Sequence, residues 1–294
     1  MKLSHLRDTR PLYSWAVGAV DVSETRYATT ADGVDLAYRV VGGGPRDVLW
    51  CFNQLSDVEV IWDYPPIADF LHELAASSRL IVHDRRGMGR SGGERGDLDT
   101  DVSDLLVVLD AIGAGRAHLI GAVGGGAIYS AFAKHHADRV AGIAWHGAFA
   151  RYAVSPDYPW GGTPEQLAEY ADATEAGWGT REFAARFVAS AAPSMAEDDE
   201  TARFFERWMR ATSDAPAAAA WLRYWSTIDL RPLLAEVEVP TLITIRGEDP
   251  AESAHVASLM PNAKLVVLDG EDFMPFYERG PVVAAFRDFM DANV

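Results

Sequence analysis

Apolar residues along this chain fall into two kinds of run. Short continuous runs at 47–52, 79–82, 118–120, 140–145, 241–245 and 264–268 are bounded by polar or glycine-rich turns. Such runs are expected of strands buried on both faces of a sheet. Longer segments at 67–76, 98–112, 125–136 and 281–290 place apolar residues at helical spacing, and the second opens on Asp and Ser residues suited to a helix start. Residues 24–30 and 34–41 alternate around Ala31-Asp32-Gly33, an antiparallel hairpin signal. Residues 1–23 carry no clear periodicity and read as an arm packed on the body.

Strand and helix signals alternate to about residue 150 and again after 232. Between them, 151–232 shows helical periods, Pro and Gly breaks and dense aromatics, without a convincing strand. The pattern predicts an α/β chain with a mostly parallel, doubly wound sheet: residues 1–150 the first part of the core, 151–232 a helical lid, and 233–294 the second part. The lid is expected over the carboxyl ends of the strands, where open α/β sheets bind their ligands.

Composition narrows the partners. The 294 residues are 49 % hydrophobic and 23 % charged, with a formal net charge of −17. That charge repels nucleic acid and anionic membrane surfaces. The single cysteine, Cys51, sits in the apolar run 48–52 and reads as a buried small hydrophobe, which suits a reducing, cytoplasmic location. No segment approaches the roughly 18 apolar residues of a membrane span. The histidines show no metal-ligand spacing, and Gly42-Gly43-Gly44 precedes a strand rather than following one, so neither a metal nor another cofactor is implied.

The most informative segment is Gly121-Ala122-Val123-Gly124-Gly125, between an apolar strand and an apolar helix. It has the frame of a nucleophile elbow, Gly-x-Ser-x-Gly, with valine where the serine would stand. Elbow nucleophiles adopt positive φ, which β-branched residues tolerate poorly. Together with Asp84-Arg85-Arg86-Gly87-Met88-Gly89-Arg90-Ser91 and the segment from Val239-Pro240-Thr241 to Gly247-Glu248-Asp249, this frame resembles the α/β-hydrolase superfamily in order and spacing over about residues 24–294. Within it, segments 56–62, 157–161 and 270–272 are similar to the hydrolase-like proteins associated with nucleotide cyclases, although no cyclase domain is present. The resemblance implies the α/β-hydrolase fold with a helical lid. It also places the family nucleophile on Val123, the family histidine on Phe273, and the acid near Glu248 or Asp249, so serine-type triad hydrolysis is not expected.

Other polar groups fall near the predicted site. Asn53 and Gln54 follow the third strand, where the family's oxyanion loop begins; a backbone N–H from Gln54 and one from Gly124 would form the oxyanion hole. His146 ends the strand that includes Trp145 and is the candidate base, with Asp249 as its carboxylate partner or an alternative base. Glu248 and Asp272 lie on loops that converge on the same site and could serve as Asp249 would, and His83 is a weaker candidate base. Trp145, Trp160 and Phe273 join the lid aromatics in an apolar pocket suited to a flat ligand.

The resemblance, whose divergent members include cofactor-independent oxygenases and bond-forming enzymes on natural products, together with the aromatic pocket, suggests a non-hydrolytic tailoring enzyme of natural-product biosynthesis. The favoured reaction is cofactor-independent oxygenation of a polycyclic phenol or quinone, such as an anthraquinone-like polyketide, through a substrate carbanion and O2. The expected partners are therefore a small apolar aromatic substrate and O2, with a homodimer compatible. A cyclase or C–C bond-forming enzyme, a non-catalytic carrier of an apolar ligand, and a hydrolase with its nucleophile moved to Ser91, Ser56 or Cys51 remain the alternatives.

Overall fold

The computed structural model describes residues 20–52, 54–247 and 249–293. A hairpin of β1 (Arg26–Thr29) and β2 (Asp35–Val41) opens the fold, followed by β3 (Asp47–Cys51), α1 (Pro65–Ala75), β4 (Arg79–His83), α2 (Leu98–Ala111), β5 (Ala117–Ala122), α3 (Gly124–His135) and β6 (Val140–His146). Four lid helices come next: α4 (Pro164–Gly177), α5 (Arg181–Ala191), α6 (Asp199–Thr212) and α7 (Ala215–Trp225). The short α8 (Arg231–Leu234) leads back to β7 (Thr241–Arg246), α9 (Ala251–Leu259), β8 (Ala263–Leu268) and α10 (Gly280–Ala292).

The strands form one sheet in the order β1-β2-β4-β3-β5-β6-β7-β8. β1 and β2 are antiparallel and the remaining strands run parallel. This is the predicted doubly wound α/β sheet. β5 and β6 are buried at every position, so their continuous apolar character follows from helices on both faces. Alternate β3 residues divide between two cores. Leu49 and Cys51 pack with α2 and α3, whereas Val48 and Trp50 pack with α1 and α10. β8 is an outer strand with Val267 half exposed.

The register brings four strand ends side by side. Cys51 pairs with Gly121, Ala122 with His146, and His146 with Thr244. Tyr170, Phe187 and Leu222, from three of the lid helices, line a cavity with Phe52 and Val123 at these ends. The lid helices begin at polar caps: Thr163 and Gln166 make a reciprocal capping box on α4, and Thr180, Asp198 and Asp214 cap the next three. Phe204, Phe205 and Trp208 form the buried face of α6. Tyr64 stacks on Phe204 at 4.3 Å, and its hydroxyl bonds Thr201 and Tyr277, joining lid to body.

The Asp84–Ser91 turn is scaffolding. The Asp84 carboxylate accepts hydrogen bonds from Ser56 Oγ and from the backbone N–H of Val58 and Arg90. A Cβ on Gly89 would stand 2.3 Å from this carboxylate, which explains the glycine. Ser91 donates to the Asp84 carbonyl and accepts from Ala37 N–H. Ser56 and Ser91 are therefore both committed to structure. Cys51 is buried, and desolvation pushes its thiol up to about 12, which makes it inert as a nucleophile. No helix among the described residues is long and apolar enough to cross a membrane.

Candidate functional site

Val123 occupies the turn between β5 and α3 with φ 49° and ψ −116°. Strand, strained residue and helix thus follow in the order expected of an elbow. The conformation costs a β-branched residue about 1–3 kcal/mol, and surrounding bonds must hold it. Two do so from the end of β6. Val123 N–H donates to the His146 carbonyl at 2.8 Å, and the Val123 carbonyl accepts Trp145 Nε1–H at 2.7 Å. Glycine at 126 lets that indole lie against α3, since a Cβ there would come within 2.1 Å of the ring.

Trp145 is therefore fully buried beneath the elbow and is not among the residues lining the two cavities beside Val123. This corrects the expectation that it contacts a ligand. β-Strand alternation turns its ring toward α3, and only its backbone ends near the site.

His146 is also corrected. The side chain is wholly buried. Its Nε2–H donates to the Phe273 carbonyl at 2.8 Å, which leaves Nδ1 to accept from Thr244 Oγ1 at 2.9 Å. Burial lowers its pKa to about 4. A neutral ring with both nitrogens engaged by protein pins β6, β7 and the 273 loop, and it cannot reach a ligand proton. His83 is similar: it is buried, touches Tyr129 Oη at 3.3 Å, and burial lowers its pKa to about 4. Asp272 is buried and holds Ser194 through its N–H and hydroxyl.

Val123 and Phe273 do line the same space, which forms two adjoining cavities. The inner one, about 180 Å³, is bounded by Phe52, Gln54, Val123, Phe187, Phe273 and Met274 among others. Its described lining includes no acidic or basic side chain. Gln54 hydrogen-bonds Tyr170, whose ring walls both cavities. The outer one, about 330 Å³, shares Val123 and Phe273 and adds Trp160, Asp249 and Glu252. Trp160 thus reaches the site at its outer rim, beside His255 at 5.1 Å. Asp249 is exposed and accepts Ala251 N–H at the start of α9. Gly124 begins α3 directly behind Val123 and is buried. Asn53 and Glu248 lie outside the described residues.

Phe273 is held from three sides. Its N–H donates to Ala191 O at the end of α5, its ring lies over Gly147, and its carbonyl accepts from His146. Arg246 bonds the carbonyls of Tyr277 and Glu278 and so fixes the rest of this loop.

Sequence reading missed Glu252. Its Oε1 accepts the Tyr158 hydroxyl at 2.5 Å, while Ala150 N–H donates to the same hydroxyl. Burial raises the Glu252 pKa, and the Tyr158 donation opposes that shift. It lines the outer cavity with its carboxyl partly withdrawn from water. No local motif marks it, because Tyr158 lies 94 residues away.

Comparison with known proteins agrees with this fold. Residues 59–279 match the family described as alpha/beta hydrolase fold. A non-heme haloperoxidase of Rhodococcus erythropolis is 28 % identical over 261 residues, covering 83 % of this chain and 91 % of that protein. A bifunctional esterase/perhydrolase of Acinetobacter calcoaceticus is 29 % identical over 263 residues, with the same coverages of 83 % and 91 %. The crystal structure of a hydrolase from Pseudomonas aeruginosa superposes with a TM-score of 0.75 at 24 % identity, over 90 % of this chain and 98 % of that one. The homologues are thus esterases and haloperoxidases, and no natural-product oxygenase is named among these relatives.

Proposed function

The chain belongs to the α/β-hydrolase fold family, and we propose that it is a member that works without an acyl-enzyme. In this reading Val123 stands in the place of the nucleophile and Phe273 in that of the histidine. The ligand is a flat, apolar phenol or quinone of the anthraquinone type, seated over Val123. Glu252, in place of His146, takes a proton from an acidic C–H of the reduced substrate. The resulting carbanion gives an electron to O2, and recombination places a peroxide on that carbon. Loss of water leaves a ketone, so a methylene and O2 become a carbonyl and H2O. The electrons come from the substrate, so no cofactor is required.

The observation that carries this reading is the shared cavity. Two apolar side chains, Val123 and Phe273, and the desolvated carboxyl of Glu252 line one space of about 330 Å³. A carboxylate raised toward neutral pH is a stronger base than a solvated one, and an apolar surround favours charge that is passed on rather than solvated. Aromatic walls at Trp160, Tyr152 and Tyr170 suit a planar ring system. One relative is named a haloperoxidase, in keeping with oxidative chemistry on this scaffold.

The test is oxygen consumption by metal-free protein with a panel of reduced anthraquinones. The expected result is one O2 consumed per ketone formed, lost in Glu252→Gln, with no hydrolysis of a p-nitrophenyl ester above background. Turnover that proceeds equally well without oxygen would replace oxygenation with cyclisation.

A second reading is a carrier for such a ligand. It is favoured by the inner cavity, whose described lining offers amide and phenol groups but no acid or base. Tight binding of the quinone panel without turnover selects it.

A further inference from the structure

The inner cavity at Val123, about 180 Å³, is smaller than ordinary ligand pockets of roughly 300–1,000 Å³. It does not end at the lid. Tyr170 of α4 and Phe187 and Ala191 of α5 line it, and the same three residues line a third cavity of about 310 Å³. This one runs along the seam between α4 and α5, past Phe183 and Arg186, to Ala173 and Ser190. Ala173 and Ser190 are exposed, so its far side meets solvent. The two cavities adjoin at the shared side chains. Tyr170 is exposed and Phe187 partly so, which leaves both rings room to turn and join them.

The seam follows from how the lid packs. α4 lies along α7, where Arg223 bonds Asp172 and Glu175. α5 lies along α6: Arg181 bonds Asp199 and Glu206, and Phe187 meets Phe205 at 5.7 Å. α4 and α5, although joined by a short turn, touch each other far less. The walls left between them are mostly hydrocarbon and aromatic. The charged group among the lining residues, Arg186, is already served, since it pairs with Glu182 at 3.5 Å and its guanidinium carbon lies 6.0 Å from the ring centre of Phe183. Tyr170 is engaged by Gln54. Such walls gain from apolar area withdrawn from water and call for no charged group on an occupant.

We propose that the seam is a tail subsite: the ligand seated at Val123 carries an unbranched alkyl chain that passes Tyr170 and Phe187 and lies between α4 and α5. A chain is narrow enough to slip between two rings, and each methylene it buries adds to affinity. Ala173, Ser190 and Ala191 are small, which keeps the seam open along its length. The subsite rests on the reading above in one respect, that the elbow cavity holds the ligand's ring. It adds a chain to the phenol or quinone assigned there.

The test uses the full chain and two series of probes. Naphthoquinones bearing a methyl, butyl or hexyl group are followed by quenching of tryptophan fluorescence, and the ring-free alcohols butanol, hexanol and octanol by titration calorimetry. The hexyl quinone should bind about thirtyfold or more tighter than the methyl one, or about twofold or more for each methylene. Ala173→Trp and Ser190→Trp, both at exposed helix positions, should fill the seam and cut that gain to about threefold or less. The alcohols should lose their dependence on length in the same variants. No gain with chain length in either series, or a gain that both substitutions leave intact, would overturn the tail subsite. Quinones that bind with the expected length dependence but consume no O2 would uphold the subsite and overturn oxygenation. Alcohols that show this dependence while no quinone binds would uphold the subsite and remove the flat ring.

Discussion

Trp145 donates its indole N–H to the carbonyl of Val123 at 2.7 Å, so a fully buried ring on β6 holds a β-branched residue at positive φ on the next strand's turn. The bond satisfies a carbonyl that the elbow turns away from the regular ladder. Trp145→Phe keeps most of the ring volume and removes the donor. It should lower the unfolding free energy by about 2–4 kcal/mol, whereas Trp160→Phe at the cavity rim should cost about 1 kcal/mol or less. Urea denaturation of the two variants compares them directly. Equal losses would reduce the indole N–H to a bystander.

His146 predicts an acid-sensitive step in stability. Its folded pKa of about 4 lies below the ordinary 6.5, because burial disfavours the charged ring. The unfolded chain therefore binds the proton first. The stabilising contribution is complete above pH 6.5 and is lost as pH falls from there toward about 4. The shift corresponds to about 3 kcal/mol at most. His146→Gln should show a shallower fall in stability across this window than the wild type, measured by chemical denaturation at several pH values. A parallel fall in both would exclude His146 as the source.

Much of this architecture was legible in the sequence, and the misses share a cause. β3, β5 and β6 were readable because burial on both faces leaves continuous apolar runs. The elbow was readable because its first glycine answers to local sterics: a Cβ at 121 would come within 2.4 Å of the Gly126 backbone, five residues on. α9 was not anticipated, since its apolar residues form no consistent face and its buried positions are Ser253 and Val256. His146 misled because its partners, Thr244 and the Phe273 carbonyl, lie 98 and 127 residues away. Trp145 and Glu252 likewise take their roles from groups on other elements. What a strand-end residue touches is set by tertiary register, which no local pattern carries.

Restoring a serine at the elbow should not restore a hydrolase. In Val123→Ser the imidazole at the adjoining end of β6, His146, remains engaged on both nitrogens. The single variant should hydrolyse a p-nitrophenyl ester no faster than the parent. Adding Phe273→His places an imidazole on the cavity wall that Val123 shares. The double variant should exceed the single one by about tenfold or more, the scale of general-base assistance. A single variant as active as the double would show that Phe273 does not mark the histidine's place.

Glu252 should titrate above the ordinary 4.5, and Tyr158 should restrain that rise. The hydroxyl donates to the carboxylate and so favours its charged form. Tyr158→Phe removes the donor and should move the Glu252 midpoint to higher pH, read by carbon NMR of the labelled carboxyl. Any rate that depends on the ionised carboxylate should lose activity on the acid side over the same displaced range. A midpoint that stays fixed or moves downward would separate Tyr158 from control of Glu252.

The Tyr64 junction also bears on how a ligand comes and goes. One hydroxyl serves Thr201 on α6 and Tyr277 beyond β8, while its ring stacks on Phe204. Parting α6 from the body would expose that aromatic stack and break the Tyr64–Thr201 bond. At the opposite margin Tyr170, exposed on α4, bonds Gln54 but joins no ring stack among the contacts described, and Trp160 edges the outer cavity. Traffic should therefore pass by the yielding of α4, in the manner of a flap fastened along one edge, with amide exchange fastest there and slowest along α6.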